Sequence, residues 1–181
     1  AEPPAIVEPE AQLFEPPRRG DLVINEIMVN PQAVPDHVGE YFELKNLAGH
    51  TIGLKGLILR DDGADFHVVE GQHSVPEGGL FVMARSVEYR NNGGVKADYA
   101  YGGSFALANG ADEVIVEYGG TTIDEVEYDN SWAVPNGAAL ELDPLLADPG
   151  CNDIEDLWCK AEVPMTGGDT GSPGVENRGC E

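Results

Sequence analysis

Cations are scarce in this chain: 10 lysines and arginines stand against 33 aspartates and glutamates, a formal net charge of −23 over 181 residues. That imbalance argues against a nucleic-acid backbone or an anionic membrane as partner, since both would be repelled. Cysteine is almost absent, with Cys151, Cys159 and Cys180 all in the last fifth. None forms a Cys-x-x-Cys pair and no histidine lies near them at ligand spacing, which disfavours a zinc site. The four histidines, His37, His50, His67 and His73, are scattered. There is no Gly-x-Ser-x-Gly elbow, His-Glu-x-x-His pair or catalytic-cysteine signature, so nucleophilic catalysis has no residues to carry it. Carboxylates are so abundant that any glycosidase-like pair is uninformative. No apolar run approaches the about 18 residues of a membrane span. No stretch keeps a helical period, and residues 154–160 allow one turn at most.

What is present is a rhythm of short strands and turns. The apolar share, 41%, suffices for a core, and the length is that of one domain with a small additional element. Residues 22–29 and 41–44 read as strands joined by a loop carrying Pro31, Pro35 and Gly39. Further strands are expected at 51–60, 66–69, 80–84, 105–107, 114–118, 121–128 and 139–142. The turn signals between them are the acidic run at 61–65, Pro76-Glu77-Gly78-Gly79, Asn91-Asn92-Gly93-Gly94, Asn109-Gly110 and Gly119-Gly120. Strands this short at this spacing predict an all-β sandwich. Trp132 and Trp158 are expected to anchor loops onto its core.

Residues 1–20 stand apart. Pro3, Pro4, Pro9, Pro16 and Pro17 predict an extended arm, because proline fixes φ and removes donors. Its apolar residues, Ile6, Val7, Leu13 and Phe14, suit an arm that drapes over its own sandwich or adds to a neighbour's sheet edge. The first residues lack the basic and apolar regions of a signal peptide and read as what remains after one is removed. The expected division is therefore an arm at 1–20 and a sandwich with an irregular cysteine-containing tail at 21–181.

Three readings of the acidity stay open: a solvated acidic surface, divalent-cation binding, and a cationic partner. Asp61, Asp62 and Asp65 lack the spacing and closing glutamate of an EF-hand loop. The odd cysteine count allows one pair. Cys159 with Cys180 would close the terminal loop, Cys151 with Cys159 is the competing choice, and either implies an oxidising compartment.

Several motifs, in order, resemble the lamin tail domain as found in bacterial extracellular proteins. They are Ile24-Asn25-Glu26, then Glu40-Tyr41-Phe42-Glu43-Leu44-Lys45-Asn46, Leu54-Lys55-Gly56-Leu57-Ile58-Leu59 and residues 75–82. Residues 107–116 and 123–128, Gly137 to Leu142, and a close of Trp158 followed by residues 168–174 and Asn177 complete the series. Leu57 stands where the family often has tryptophan, and Ala139 where it usually has serine. The resemblance implies an immunoglobulin-like β-sandwich in a secreted or surface-anchored protein, and no enzymatic activity. The motif carboxylates Glu26, Glu40, Glu43 and Asp169 are candidate oxygen ligands for Ca²⁺, with backbone or arginine partners and turn capping as their alternative roles. The expected function is a non-catalytic scaffold, adhesion or assembly module acting through a protein partner or self-association. A Ca²⁺-dependent carbohydrate- or protein-binding domain is the second reading. No cofactor is required by the first.

Overall fold

The computed structural model describes residues 14–180. Thirteen elements carry the fold: β1 (Leu22–Met28), the one-turn helix α1 (Asp36–Gly39), β2 (Tyr41–Asn46), β3 (Ile52–Gly53), β4 (Ile58–Arg60), β5 (Phe66–Val68), β6 (Ser74–Val75), β7 (Leu80–Ala84), β8 (Tyr99–Ala100), β9 (Asp112–Tyr118), β10 (Thr121–Tyr128), β11 (Leu140–Leu142) and β12 (Trp158–Lys160). They form a six-stranded sheet in the order β12-β11-β1-β2-β7-β8 and a four-stranded sheet in the order β10-β9-β4-β5, with β3 and β6 paired separately.

Period-two alternation explains the layering. In β2, Phe42 and Leu44 point into the sandwich, while Tyr41 and Glu43 take the other face. A register shift between Ile24 and Glu26 in β1 marks a bulge at Asn25, and Glu26 then lies across from Glu43. The core between the sheets contains Ile24, Ile27, Phe42, Leu44, Leu59, Phe105, Val114, Val116, Val126 and Tyr128, all essentially inaccessible. Gly119 and Gly120, at φ 58° and 80°, make the tight turn of the β9–β10 hairpin, where a Cβ would be strained.

The two sheets differ on their outer faces. The outer face of the small sheet is largely open, with Ile115 of β9 its buried exception, and β10 alternates exposed and buried residues over its second half. The central strands of the large sheet are buried on both sides: every residue of β1 and β11 is inaccessible. The cover is the chain's own residues 161–178, called here the strap. A second apolar cluster of Met28, Tyr41, Val82, Ala84, Val95, Ala139 and Ala161, flanked by Met165, lies beneath it.

Several sequence expectations change. The strand expected at 51–60 breaks into β3 and β4, because Gly56 at φ 84° sits inside a turn in which Leu57 N–H bonds Leu54 O. Residues 105–107 form no strand, since their donors go to side chains: Ala106 N–H to Asp65 and Leu107 N–H to Glu40. Asn109-Gly110 therefore closes no hairpin. Residues 155–157 make a single 3-10 turn and lead into β12, a strand beyond the last one expected. The Trp132 and Trp158 rings pack 6.0 Å apart against the core edge.

Of the expected arm, Ile6, Val7 and Leu13 lie outside the described residues. From Phe14 onward the chain rests on its own sandwich: Glu15 bridges Ile52, Gly53 N–H bonds Glu15 O at 2.8 Å, and Gly20 N–H bonds Ile123 O at 3.1 Å. Cys159 and Cys180 form the disulfide, with Cα atoms 5.4 Å apart, and Cys151 is free and half-buried. Among the described residues no helix is long and apolar enough to cross a membrane.

Candidate functional site

Three glutamates meet on the outer face of the large sheet. Glu26 lies across from Glu43 of β2 on one side and Glu141 of β11 on the other. Their exposures are 0%, 0% and 2%, and no lysine, arginine or histidine bonds any of them. Placing carboxylates where water cannot reach is costly unless they are neutral or fully hydrogen-bonded. Here both conditions are at work.

The strap supplies most of the partners. Glu26 Oε1 accepts from Tyr41 O–H at 2.6 Å and Ser172 N–H at 2.8 Å. Glu43 accepts from Asn25 Nδ2 at 2.9 Å and from Gly174 N–H at 2.5 Å. Asn177 Nδ2 donates to the backbone oxygens of Asn25, at the bulge, and Leu142. Gly171 passes so close over the site that an added Cβ would collide with the Tyr41 hydroxyl and lie 2.9 Å from Glu26 Oε1. At the rim, Lys45 pairs with Glu176.

Proton counting assigns a charge state. Ser172 Oγ sits 2.7 Å from Glu141 Oε1, 3.1 Å from Glu26 Oε2 and 3.2 Å from Asn177 Oδ1. A hydroxyl has one proton to donate, so Ser172 can serve one of these three acceptors, and a proton on a carboxyl turns a second contact into a hydrogen bond. Burial pushes Glu26 up to about 7 and Glu43, with Glu26 beside it, up to about 8. The geometry puts the proton on Glu26 Oε2, donating to Ser172, which donates to Glu141. Glu43 holds a proton to higher pH still, although both its oxygens also accept from donors.

The other two candidate ligands lie elsewhere. Glu40 accepts Leu107 N–H at 3.0 Å with Arg85 3.8 Å away, and burial pushes it up to about 7. Asp169 accepts the backbone N–H groups of Gln32 and Ala33 at 3.0 to 3.1 Å, holding the proline loop after β1. The four therefore do not share a cage. Among the described residues no group of three or more histidine, cysteine or acidic side chains could hold a metal ion. The physical reason is that each carboxylate is already occupied by main-chain donors.

A serine–histidine contact also resolves against chemistry. Ser104 Oγ donates to Tyr101 O at 2.7 Å, so at 2.7 Å His67 Nδ1–H donates to Ser104 rather than taking its proton. Tyr99 O–H, which accepts Glu70 N–H, donates to His67 Nε2 at 2.8 Å. Burial lowers the His67 pKa and keeps the ring neutral. The network ties the edge strand β5 to β8 of the opposite sheet. It is a closure of the sandwich.

Sequence reasoning named Glu26 and Glu43 but not Glu141, Tyr41, Ser172 or Asn177 as their partners. The signal was present: the motif letters at 24–26, 40–46, 140–142 and 171–177 are the residues that meet here.

A two-sheet, mostly antiparallel sandwich with one face sealed by its own tail is an immunoglobulin-like architecture. The family model of the lamin tail domain matches residues 15–130, and the chain belongs to that family. The strap, β11 and β12 lie beyond the matched residues. No curated protein matches the chain.

Proposed function

We propose that this chain is a secreted or cell-surface structural module that works by presenting a surface to a protein partner, as a scaffold or adhesion component. One observation carries the reading: among the described residues, the smaller of the two main sheets keeps a largely open outer face, while the larger is closed by the strap. The strongly perturbed carboxylates support it, because Glu26, Glu40, Glu43 and Asp124 are buried and bonded to main-chain or amide donors. Acid–base catalysis needs such groups within reach of a substrate. The Cys159–Cys180 bond supports an oxidising location. Ca²⁺-dependent binding gains no comparable observation.

Protease shaving of intact source cells, with a thiol count on the recovered protein, tests the location. Release from the surface or recovery from the medium, with one titratable thiol, is expected. Recovery only from the cytosol with three thiols would sink the reading. Self-assembly through the arm is a separate question for Ile6, Val7 and Leu13. The mass of the native chain with and without residues 1–13 answers it: multimers that become monomers on truncation assign assembly to the arm.

A further inference from the structure

The open face of the small sheet is laid out in rows. One row runs Glu125, Ile115, Arg60, Phe66 across β10, β9, β4 and β5. The row on one side pairs Glu127 with Glu113, and the row on the other runs Glu117, Ile58, Val68. Neighbouring strands stand about 4.8 Å apart, so acids occupy one half of the face and apolar residues the other. Phe66 and Val68 are 55% and 40% exposed. Arg60 is engaged internally, with Glu117 at 3.1 Å and Asp62 at 3.2 Å. Glu113, Glu125 and Glu127 make no ion pair among the described residues.

Between β9, β10 and the loop after β4 lies a cleft of about 260 Å³ lined by Asp62, Glu113, Glu125, Glu127 and Asp153, with the almost wholly buried Ile115 between them. Ligand sites for drug-sized molecules run about 300–1,000 Å³, so this cleft suits a single long side chain. The acids are too dispersed to group around a metal ion. A cleft ringed by carboxylates, on the same face as the exposed Phe66 and Val68, matches a segment carrying a lysine or arginine, which keeps its charged head among polar groups while its apolar neighbours cover apolar surface.

We propose that this face docks a cationic segment of a partner protein. A lysine or arginine puts its head among Glu113, Glu125 and Glu127, and apolar neighbours rest on Phe66 and Val68. Charge complementarity selects the occupant. The chain's own first thirteen residues carry Glu2, Glu8 and Glu10 and no lysine or arginine, and a second copy brings the same net charge of −23. Both would be repelled. The inference rests on the interaction-module reading and adds the chemistry of the partner.

The test uses the full chain and two capped hexapeptides, alternating lysine with valine or glutamate with valine, titrated calorimetrically at physiological ionic strength. The lysine peptide binds and the glutamate peptide does not. Charge reversal in E125K/E127K weakens binding by about tenfold or more, and Phe66→Ser weakens it several-fold. E77K/E88K, which reverses two exposed acids elsewhere, changes it less than about twofold. Urea midpoints near wild type show that each variant is folded. Absence of binding, or equal losses in E77K/E88K and E125K/E127K, overturns the proposal, since equal losses mean only attraction to net charge. The shaving experiment is untouched by either result, so failure here leaves the module reading standing.

Discussion

Replacing Glu26 with glutamine should stabilise this protein at alkaline pH and leave it nearly unchanged at pH 5. Glutamine keeps the Oε1 acceptor for Tyr41 O–H and Ser172 N–H, and its amide N–H takes the place of the Oε2 proton directed at Ser172. The sign follows from the raised pKa. The folded state holds the Glu26 proton up to about 7, whereas the unfolded chain releases it near 4.5. Between those values the native state binds more protons, so its stability falls as pH rises. At 1.36 kcal/mol per pH unit the full loss is on the order of 3 kcal/mol, complete by about pH 8. E26Q cannot undergo it. Urea denaturation followed by tryptophan fluorescence at pH 5, 6.5 and 8 measures the difference. Wild type and E26Q should agree within about 1 kcal/mol at pH 5, and E26Q should lead by up to about 3 kcal/mol at pH 8. A variant equally destabilised at both pH values would refute the proton assignment, because Glu26 would then be acting as an ion.

Gly171→Ala forces a methyl group onto Tyr41 and Glu26 and should cost about 1–3 kcal/mol, read as a lower urea midpoint. Asn177→Ala leaves the buried carbonyls of Asn25 and Leu142 without their donor. It should cost about 1–3 kcal/mol and raise amide exchange selectively in the strap. Removing the disulfide as C159S/C180S frees a loop of 21 residues and should cost about 3 kcal/mol by chain entropy, measured by urea denaturation. His67, whose folded pKa is lowered, contributes stability that is present above the ordinary 6.5 and lost as pH falls through the folded value. His67→Gln should abolish that loss, seen as protection of β5 amides that no longer drops between pH 7 and pH 5.

The sandwich was legible because its signals are local. Alternation at 41–44 and glycine pairs at tight turns specify strands and hairpins without help from distant residues. The errors share one cause. At 105–107 the sequence reads as a strand, yet Asp65 and Glu40 capture its N–H groups from 41 and 67 residues away. Nothing within that tripeptide reveals them. Trp158-Cys159-Lys160 is too short to announce itself, and it is a strand because β11 offers an open edge. Half of the buried network was legible in the same limited sense. Glutamate inside apolar strands at 26 and 43 marks an unusual site, but its partners come from residues 172–177, whose proximity only the folded topology discloses.

The same residue type does opposite work on the two outer faces, and burial decides which. Under the strap, Glu26 has no cation beside it, so neutralisation by a proton is the least costly state and the carboxyl becomes a donor that fixes Ser172. On the small sheet, Glu113, Glu125 and Glu127 line an open cleft with no strap over it among the described residues. Had the strap been held by lysines, the first face would contain ion pairs whose desolvation is rarely repaid. Had the second face been neutral, Phe66 and Val68 would lie beside no charge to select a partner. An excess of acid that would be a liability in a core thus serves closure under the strap and selectivity on the open face. A rise in pH through about 7 should loosen the strap as Glu26 gives up its proton, because the donor that holds Ser172 is then lost.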